Sequence, residues 1–441
     1  MYTHTTFLQA KDQLAARLRD SSKLFWSDIE LSGLIINSLY TWQMLTGYWR
    51  DRGVFNTAAG SLFYNLHTEL PALLGMTVTT QQAVSAMQYM LLEPATPAAW
   101  TGTSMFTLAD ITTALQNRRN QFLVDTGSVL IAYNMPAAAP PISREQLPDN
   151  VINILRAVWK DVAGLRNSMF ENYEYNTTAY DPAWSLTPGL PGVFSILATP
   201  PLVMQVIPPP NDIGSLELVI VRTPSALDPT DPTDLINLPN NSSWIAGWGA
   251  LADLLLREGE SFDPIRGQYA LARYEHGVKV AAEHKHAVQW ELQGVPKIPS
   301  AVLDYDIYDV NWHNVTATVP RDLLLIGQNL VAVNPIADGI YSITVDIIRN
   351  APVPTLDTDF IQLGRQDLET VLGYAQHVAA FKLGGGEFLA TMPLFNSFMK
   401  QATAYNSRLA AINEYVLTSM QSLTTAQPTS TPLAELIPTE S

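Results

Sequence analysis

Two stretches of the chain carry one order of signals. Residues 203–224, VMQVIPPPNDIGSLELVIVRTP, run strand-like, then proline, glycine, strand-like, arginine, proline, and residues 329–354, NLVAVNPIADGIYSITVDIIRNAPVP, run the same way. Short β-rich runs broken by proline and glycine read as strands, and a helical pattern follows in both cases. The spacing predicts strands at 202–207 and 216–221 and a second pair within 329–348, each pair leading into a helical hairpin. A unit used twice in this way restricts the chain to an α+β fold.

The first hairpin is legible in WGALADLLLREGESFDPIRGQYALARYEHG, residues 248–277. Trp248, Leu251 and Leu255 recur at helical spacing, and Gly259 falls where a left-handed C-terminal cap belongs. Asp263 before Pro264 is an N-cap followed by the residue best suited to the first helical position. Ile265, Tyr269 and Ala272 carry the second apolar stripe. In the later copy Leu368, Val371, Leu372, Ala375 and Ala379 share one face before the glycines of KLGGGEF, and Leu394, Phe398, Ala402, Tyr405, Leu409 and Ile412 form a longer stripe.

Residues 1–170 read as mainly helical. A capping box, Ser27 to Glu30, opens a helix whose broad face holds Leu31, Leu34, Ile35, Trp42 and Leu45, and Thr107 with Asp110 opens another. The proline-rich 134–148 segment reads as a linker, and Asp149 as the cap of a helix carrying Ile152, Leu155 and Trp159. The division expected is an N-terminal helical bundle (1–170), a β-unit with helical hairpin (171–300), a second β-unit with long helices (301–423) and an extended tail (424–441), the β-units being β-sandwich-like insertions.

Composition bounds the function. Only 15% of the 441 residues are charged, against ~25% in ordinary soluble domains, while 47% are hydrophobic. Such a surface suits contact with copies of itself or with partners. The net charge of −16 leaves no net basic footprint for gripping phosphates. The absence of cysteine removes disulfides, thiolate zinc sites and thiol nucleophiles, in keeping with assembly in a reducing cytoplasm. No run approaches the ~18 apolar residues of a membrane span, and MYTHTTFLQAKDQLAARLRD lacks a signal-peptide core.

Chemical motifs are sparse. Glu258, Glu260 and Asp263 with His276 have the residue types of acid–base catalysis, yet the hairpin accounts for them. On a helix His284 and His286 point about 200° apart and cannot chelate together, whereas on an extended segment they share a face. Asp228, Asp231 and Asp234 lack the spacing and glycine of a calcium loop, and KLGGGEF lacks the Lys-Ser/Thr of a phosphate-binding loop. Asp304, Asp306 and Asp309 with His313 read as the wet face of a strand, and a hydrolase using them is a third reading. No HExxH, GxSxG or GxGxxG occurs. The residues predict no catalytic site, no metal and no cofactor.

Several of these segments together, WSDIELSGLIINSLYTWQMLTGYW, LADITTALQNRRNQFL, LRAVWKDVAGLRNSMF with DPAWSLTPGLPGVFSI, PPLVMQVIPPPNDIGSLELVIV, the 248–277 hairpin and YAQHVAAFKLGGGEFLATMPLF, resemble the neck or head-to-tail adaptor proteins of tailed bacteriophages. The resemblance lies in tryptophan, proline and capping patterns. It implies a virion protein, assembled in the host cytoplasm. The implied form is a ring, expected to be dodecameric, that joins the portal protein to tail or further neck proteins and lets viral DNA pass. Length and β-rich insertions depart from small adaptors. Trp42, Trp49, Arg50, Tyr269, Arg273 and Tyr274 are the candidate inter-subunit contacts, by residue type, with the core as the alternative place for Trp42 and Trp49; Ser27, Glu30 and Asp263 are helix caps. The alternative is a carbohydrate- or receptor-binding virion module that uses exposed tryptophans such as Trp184 and Trp312.

Overall fold

The computed structural model describes residues 4–93, 105–136, 144–197, 202–292, 294–309 and 312–425. The chain opens with α1 (Phe7–Arg17) and α2 (Asp28–Thr46), then β1 (Arg50–Asn56), β2 (Phe63–Asn65) and the short α3 (Leu66–Glu69) and α4 (Pro71–Leu74). The plan restarts with α5 (Thr80–Leu91), α6 (Leu108–Thr126) and β3 (Leu130–Pro136). Next come β4 (Arg144–Gln146), β5 (Val151–Asp161), β6 (Arg166–Glu171), α7 (Glu174–Tyr180), β7 (Val193–Leu197), β8 (Val203–Ile207) and β9 (Gly214–Arg222). Helices α8 (Ser243–Leu255) and α9 (Pro264–Glu283) follow. The chain then runs through β10 (Ala287–Leu292), β11 (Val295–Lys297), β12 (Ser300–Ala301), α10 (Val302–Tyr308), β13 (Asp322–Ile326), β14 (Leu330–Asn334) and β15 (Ser342–Ile348). It closes with α11 (Arg365–Ala380), α12 (Gly385–Leu389), α13 (Met392–Tyr405) and α14 (Ala410–Thr425). The α+β class expected from the sequence is the class observed.

The repeat extends well beyond the strands and hairpins. Thr6 and Thr79 each cap a helix through a Thr-x-x-Gln box, and each forms a bridge to the segment before a later helix, with Phe360 and Leu235 respectively. Ser27 and Thr107 cap the next helices, both 19 residues long, and both end at a left-handed glycine, Gly47 (φ 59°) and Gly127 (φ 55°). A side chain there is strained, which is why glycine stands at both turns. Each glycine leads into a strand, β1 or β3, at the edge of a sheet.

The sheets match as well. Strand β15 lies antiparallel between β1 and β10, as β9 lies between β3 and β5; β14 lies between β13 and β2, as β8 lies between β7 and β4. In one copy these strands form two four-stranded sheets sharing a core of Phe55, Trp290, Ile343 and Val345 with Tyr64, Val331 and Val333. In the other they form one seven-stranded sheet, continuous only through the two-residue parallel contact of β6 with β7. Its halves share a core of Trp159, Leu216 and Leu218 with Phe194, Met204 and Val206. Helix α2 then packs on α11 and α13, and α6 on α8 and α9. The second copy is inserted into the first, and one apolar core runs through the helices of both.

Four expectations change. The strands at 203–222 and 330–348 exist, but the members of each pair are not hydrogen-bonded to each other; each joins a different set of neighbours. The first 170 residues are mainly helical, as expected, but they are not a helical bundle alone, because they also supply β1 to β5 and most of β6. Residues 151–161 form β5, not a helix: Val151, Ile152, Ile154 and Val158 are β-branched, and the strand pairs along its length with β9, remote in sequence, and at its end with β6 across a short turn. Residues 302–308 are helix α10 and not a strand. Of the expected linker, 134–136 and 144–146 lie in strands and 137–143 fall outside the described residues; of the tail, 424–425 end α14 and 426–441 fall outside.

Candidate functional site

Residue type placed the candidate contacts at the surface; the fold places most of them inside. Trp42, Trp49, Tyr269, Arg273 and Tyr274 are all buried, and of the six only Arg50 is exposed. The reason is the packing of the helical layer, within each copy and between the two. Inside its own copy Trp42 meets Phe398 and Tyr405 of α13, and the Trp49 indole donates to the Gln362 carbonyl at 3.0 Å.

Tyr269 and Arg273 sit one turn apart on α9, facing α11 and α13. The Arg273 guanidinium, 0% exposed, donates to the Tyr374 hydroxyl at 2.8 Å and contacts His276 Nδ1 at 3.2 Å, with the rings of Trp244 and Phe395 about its face. No carboxylate pairs with it among the described residues. His276 also meets Asn413 (2.8 Å), and His377 meets Tyr269 (2.8 Å) and Thr391 (2.7 Å). Burial, helped by the Arg273 charge, pushes both histidines down to about 3, and burial pushes Tyr269 well above its ordinary value. These groups are neutral packing elements at neutral pH, with their protons committed to neighbours, and they reach no described cavity.

The expected caps need two corrections, one of them at Gly259: α8 ends at Leu255 with Leu256 as its C-cap (φ −92°), and Gly259 (φ 137°) lies in the turn beyond. Asp263 accepts from Arg266 N at 3.0 Å and pairs with the Arg266 guanidinium. Ser27 accepts from Glu30 N at 3.3 Å, but Glu30 does not complete the box; its carboxylate turns inward to Lys382 (2.8 and 2.9 Å). Thr107 and Asp110 form the full box.

The other clusters separate. Glu258 and Glu260 lie on the turn between α8 and α9, well away from the buried His276. Asp306 is taken up by Arg156 (2.7 and 3.1 Å) and the Trp312 indole (2.9 Å). Asp228 and Asp231 cap their own turns through Thr230 and Thr233. His284 and His286 follow the end of α9 on extended chain, and the fold adds His67 from α3, which no local signal joins to them. The rings form a row centred on His286, at 5.4 Å to His67 and 5.1 Å to His284. Among the described residues no three His, Cys, Asp or Glu side chains are set to hold a metal.

What the sequence did not reveal is a groove of about 940 Å³ between the two copies. It runs between α2 of one copy and α5 and α8 of the other, closed at one end by Phe7 and Lys11 of α1 and by residues 353–357. Ile36, Tyr40, Met90 and Trp248 give it an apolar, aromatic wall. Gly33 of α2 and Gly247 of α8 line it too. Its exposed lining is mostly apolar, and polar residues including Lys11, Asp28, Asp357, Glu30 and Lys382 are among the lining residues, the cations paired with the carboxylates; such a concavity suits a ligand or peptide segment.

No helix among the described residues is long and apolar enough to cross a membrane. No family model matches the chain, and no curated protein matches it.

Proposed function

We propose that this chain is a structural virion subunit, a head-to-tail adaptor that packs side by side into a ring between portal and tail. One observation carries the reading: both sandwiches present bare apolar residues at equivalent tips. Ile213 and Ile340 stand at the turns before β9 and β15, and both are more than half exposed. Around Ile213, Val162 and Leu165 of the β5–β6 turn and Leu190 of the neighbouring loop are also exposed. Apolar side chains clustered on loop tips are costly in a free monomer and fit contact with another protein surface. The scarcity of charge points the same way. The acidic excess suits a passage from which DNA phosphates are repelled.

The receptor-binding alternative loses its supporting residues. Trp184 and Trp312 are 6% and 1% exposed and offer no stacking face. Imaging of the intact particle tests the proposal. Density for this chain as a closed ring under the portal supports it; density at the tail tip or in isolated peripheral trimers refutes it.

A further inference from the structure

The groove between the copies contains two features that the isolated chain does not explain. Gly33 and Gly247 lie in the interior of α2 and α8, where glycine is the least stabilising residue after proline. Neither has the positive φ that would call for glycine, and a Cβ built on either meets no atom within 4 Å. Elsewhere in the same helical layer a glycine has an evident reason: a Cβ at Gly277 would strike Ile245 at 2.7 Å, and one at Gly249 would strike Tyr274 at 2.7 Å. The groove glycines leave room for something to approach both helices closely.

The second feature is a pair of free donors. Tyr40 and Trp248, each 4% exposed, line the groove, and neither the Tyr40 hydroxyl nor the Trp248 indole N–H has a hydrogen-bond partner among the described residues. Burial pushes the Tyr40 hydroxyl up to about 12, so it remains a donor at neutral pH. Neither atom is among the polar atoms shut off from solvent, so both open onto the groove, where an incoming acceptor can reach them. An aromatic wall with donors spaced along it recognises proline-rich chain, which is rich in carbonyls and poor in N–H groups.

Residues 426–441, AQPTSTPLAELIPTES, have that chemistry. Three prolines remove N–H groups, Leu433, Leu436 and Ile437 supply an apolar cluster, and the only charges are Glu435 and Glu440. The segment also starts in a suitable place. Helix α14 runs in the same direction as α9, since Asn413 meets His276 and Tyr415 meets Lys279. Helix α8 runs opposite to α9, with Gly277 against Ile245 and Gly267 against Leu256. So α14 passes the level at which α8 begins near its own start, at Asn413, and its last residue, Thr425, lies roughly 18 Å beyond that level, pointing away from the body of α8. Sixteen residues reach roughly 50 Å when extended, enough to leave the parent molecule.

We propose that the groove receives residues 426–441 of a neighbouring copy, so that each subunit hands its C-terminal segment to the next around the ring. The assignment rests on the ring reading and deepens it. Two full-length variants test it. One carries Leu433→Asp, Leu436→Asp and Ile437→Asp and lacks a competent segment; the other carries Gly33→Leu and Gly247→Leu, whose side chains enter open space and fill the groove without disturbing the helices. Circular dichroism establishes that both fold. A labelled synthetic peptide of residues 426–441 should bind the segment variant saturably, and binding should weaken about tenfold or more when the glycine changes are added. In native mass spectrometry, mixing the two variants should give a one-to-one complex that neither forms alone, because one supplies the segment and the other the groove. Peptide binding that ignores the glycine changes overturns the site. Peptide binding without a mixed complex overturns the neighbour assignment, since the segment then serves its own chain. Either result leaves the position of the chain in the particle to be read independently by imaging.

Discussion

One ion pair occurs twice in this protein, once buried and once exposed. Glu30 and Asp110 are equivalent residues at the starts of α2 and α6, and Lys382 and Arg257 are equivalent residues just past the ends of α11 and α8. Lys382 Nζ donates to both Glu30 oxygens at 2.8 and 2.9 Å and to the Phe25 carbonyl at 3.0 Å, beneath the Phe25 and Trp26 rings. The two side chains are 5% and 6% exposed. Arg257 reaches Asp110 at 3.4 Å with side chains 65% and 36% exposed. Burial raises the Glu30 carboxyl above its ordinary value even with Lys382 beside it. The buried pair thus sits near break-even, and its cost shows only when one partner is taken away. Lys382→Met should remove about 3–5 kcal/mol by stranding a buried carboxylate, whereas Arg257→Met should remove less than about 1 kcal/mol, as for an exposed pair. Adding Glu30→Leu to Lys382→Met should restore most of the loss, since the cost belongs to the unpaired charge. Urea unfolding followed by tryptophan fluorescence measures all three. If Lys382→Met and Arg257→Met cost the same, or the double variant is as weak as Lys382→Met, burial is not the controlling quantity.

Acid should destabilise the fold below neutrality. His276 and His377, held at about 3 in the folded chain against 6.5 when unfolded, favour the folded state above pH 6.5. Each loses about 1.4 kcal/mol per pH unit as the pH falls from there toward 3. Replacing both with asparagine should flatten that part of the stability–pH profile; an unchanged slope would contradict their buried neutral state. Asp263→Ala should cost ~1 kcal/mol and leave binding nearly intact, and a normally folded variant without any function would revive the carboxylate reading of residues 258–263. At Gly214 a Cβ would lie 2.4 Å from the Trp159 ring and 2.6 Å from the Lys160 carbonyl. Gly214→Ala should therefore cost about 1–3 kcal/mol, while Gly33→Ala should gain up to about 1 kcal/mol; calorimetry giving the opposite order would refute the packing argument. Elemental analysis of chelator-free protein should find no bound metal, and stoichiometric zinc lost on replacing His284 and His286 would overturn that expectation.

What local sequence determined is local in its physics. Ser27, Thr107 and Asp263 cap helices because a side-chain oxygen finds an amide two or three residues ahead, with no help from the rest of the chain. The strands at 203–207 and 330–334 end at Pro208 and Pro335 for similarly short-range reasons. The repeat was visible in part, since proline, glycine and strand signals keep their order even where side chains diverge.

Tertiary structure decided the remainder. The run from Ile152 to Trp159 has apolar residues at spacings that fit a helix, and it becomes β5 because β9 and β6 satisfy its backbone on both sides. The aspartates at 304 and 306 alternate as in a strand yet lie on α10, one of them consumed by Arg156, a partner 150 positions away. Tyr269 and Arg273 are the residue types of an interface, and they do line one, but it lies within the chain, where α9 of one copy meets α11 and α13 of the other, while Trp42 packs on α13 inside its own copy. The groove belongs to that same closure. Its walls come from α2, α5 and α8, and no local signal records that these three helices meet, because their meeting depends on burying apolar area between segments some two hundred residues apart.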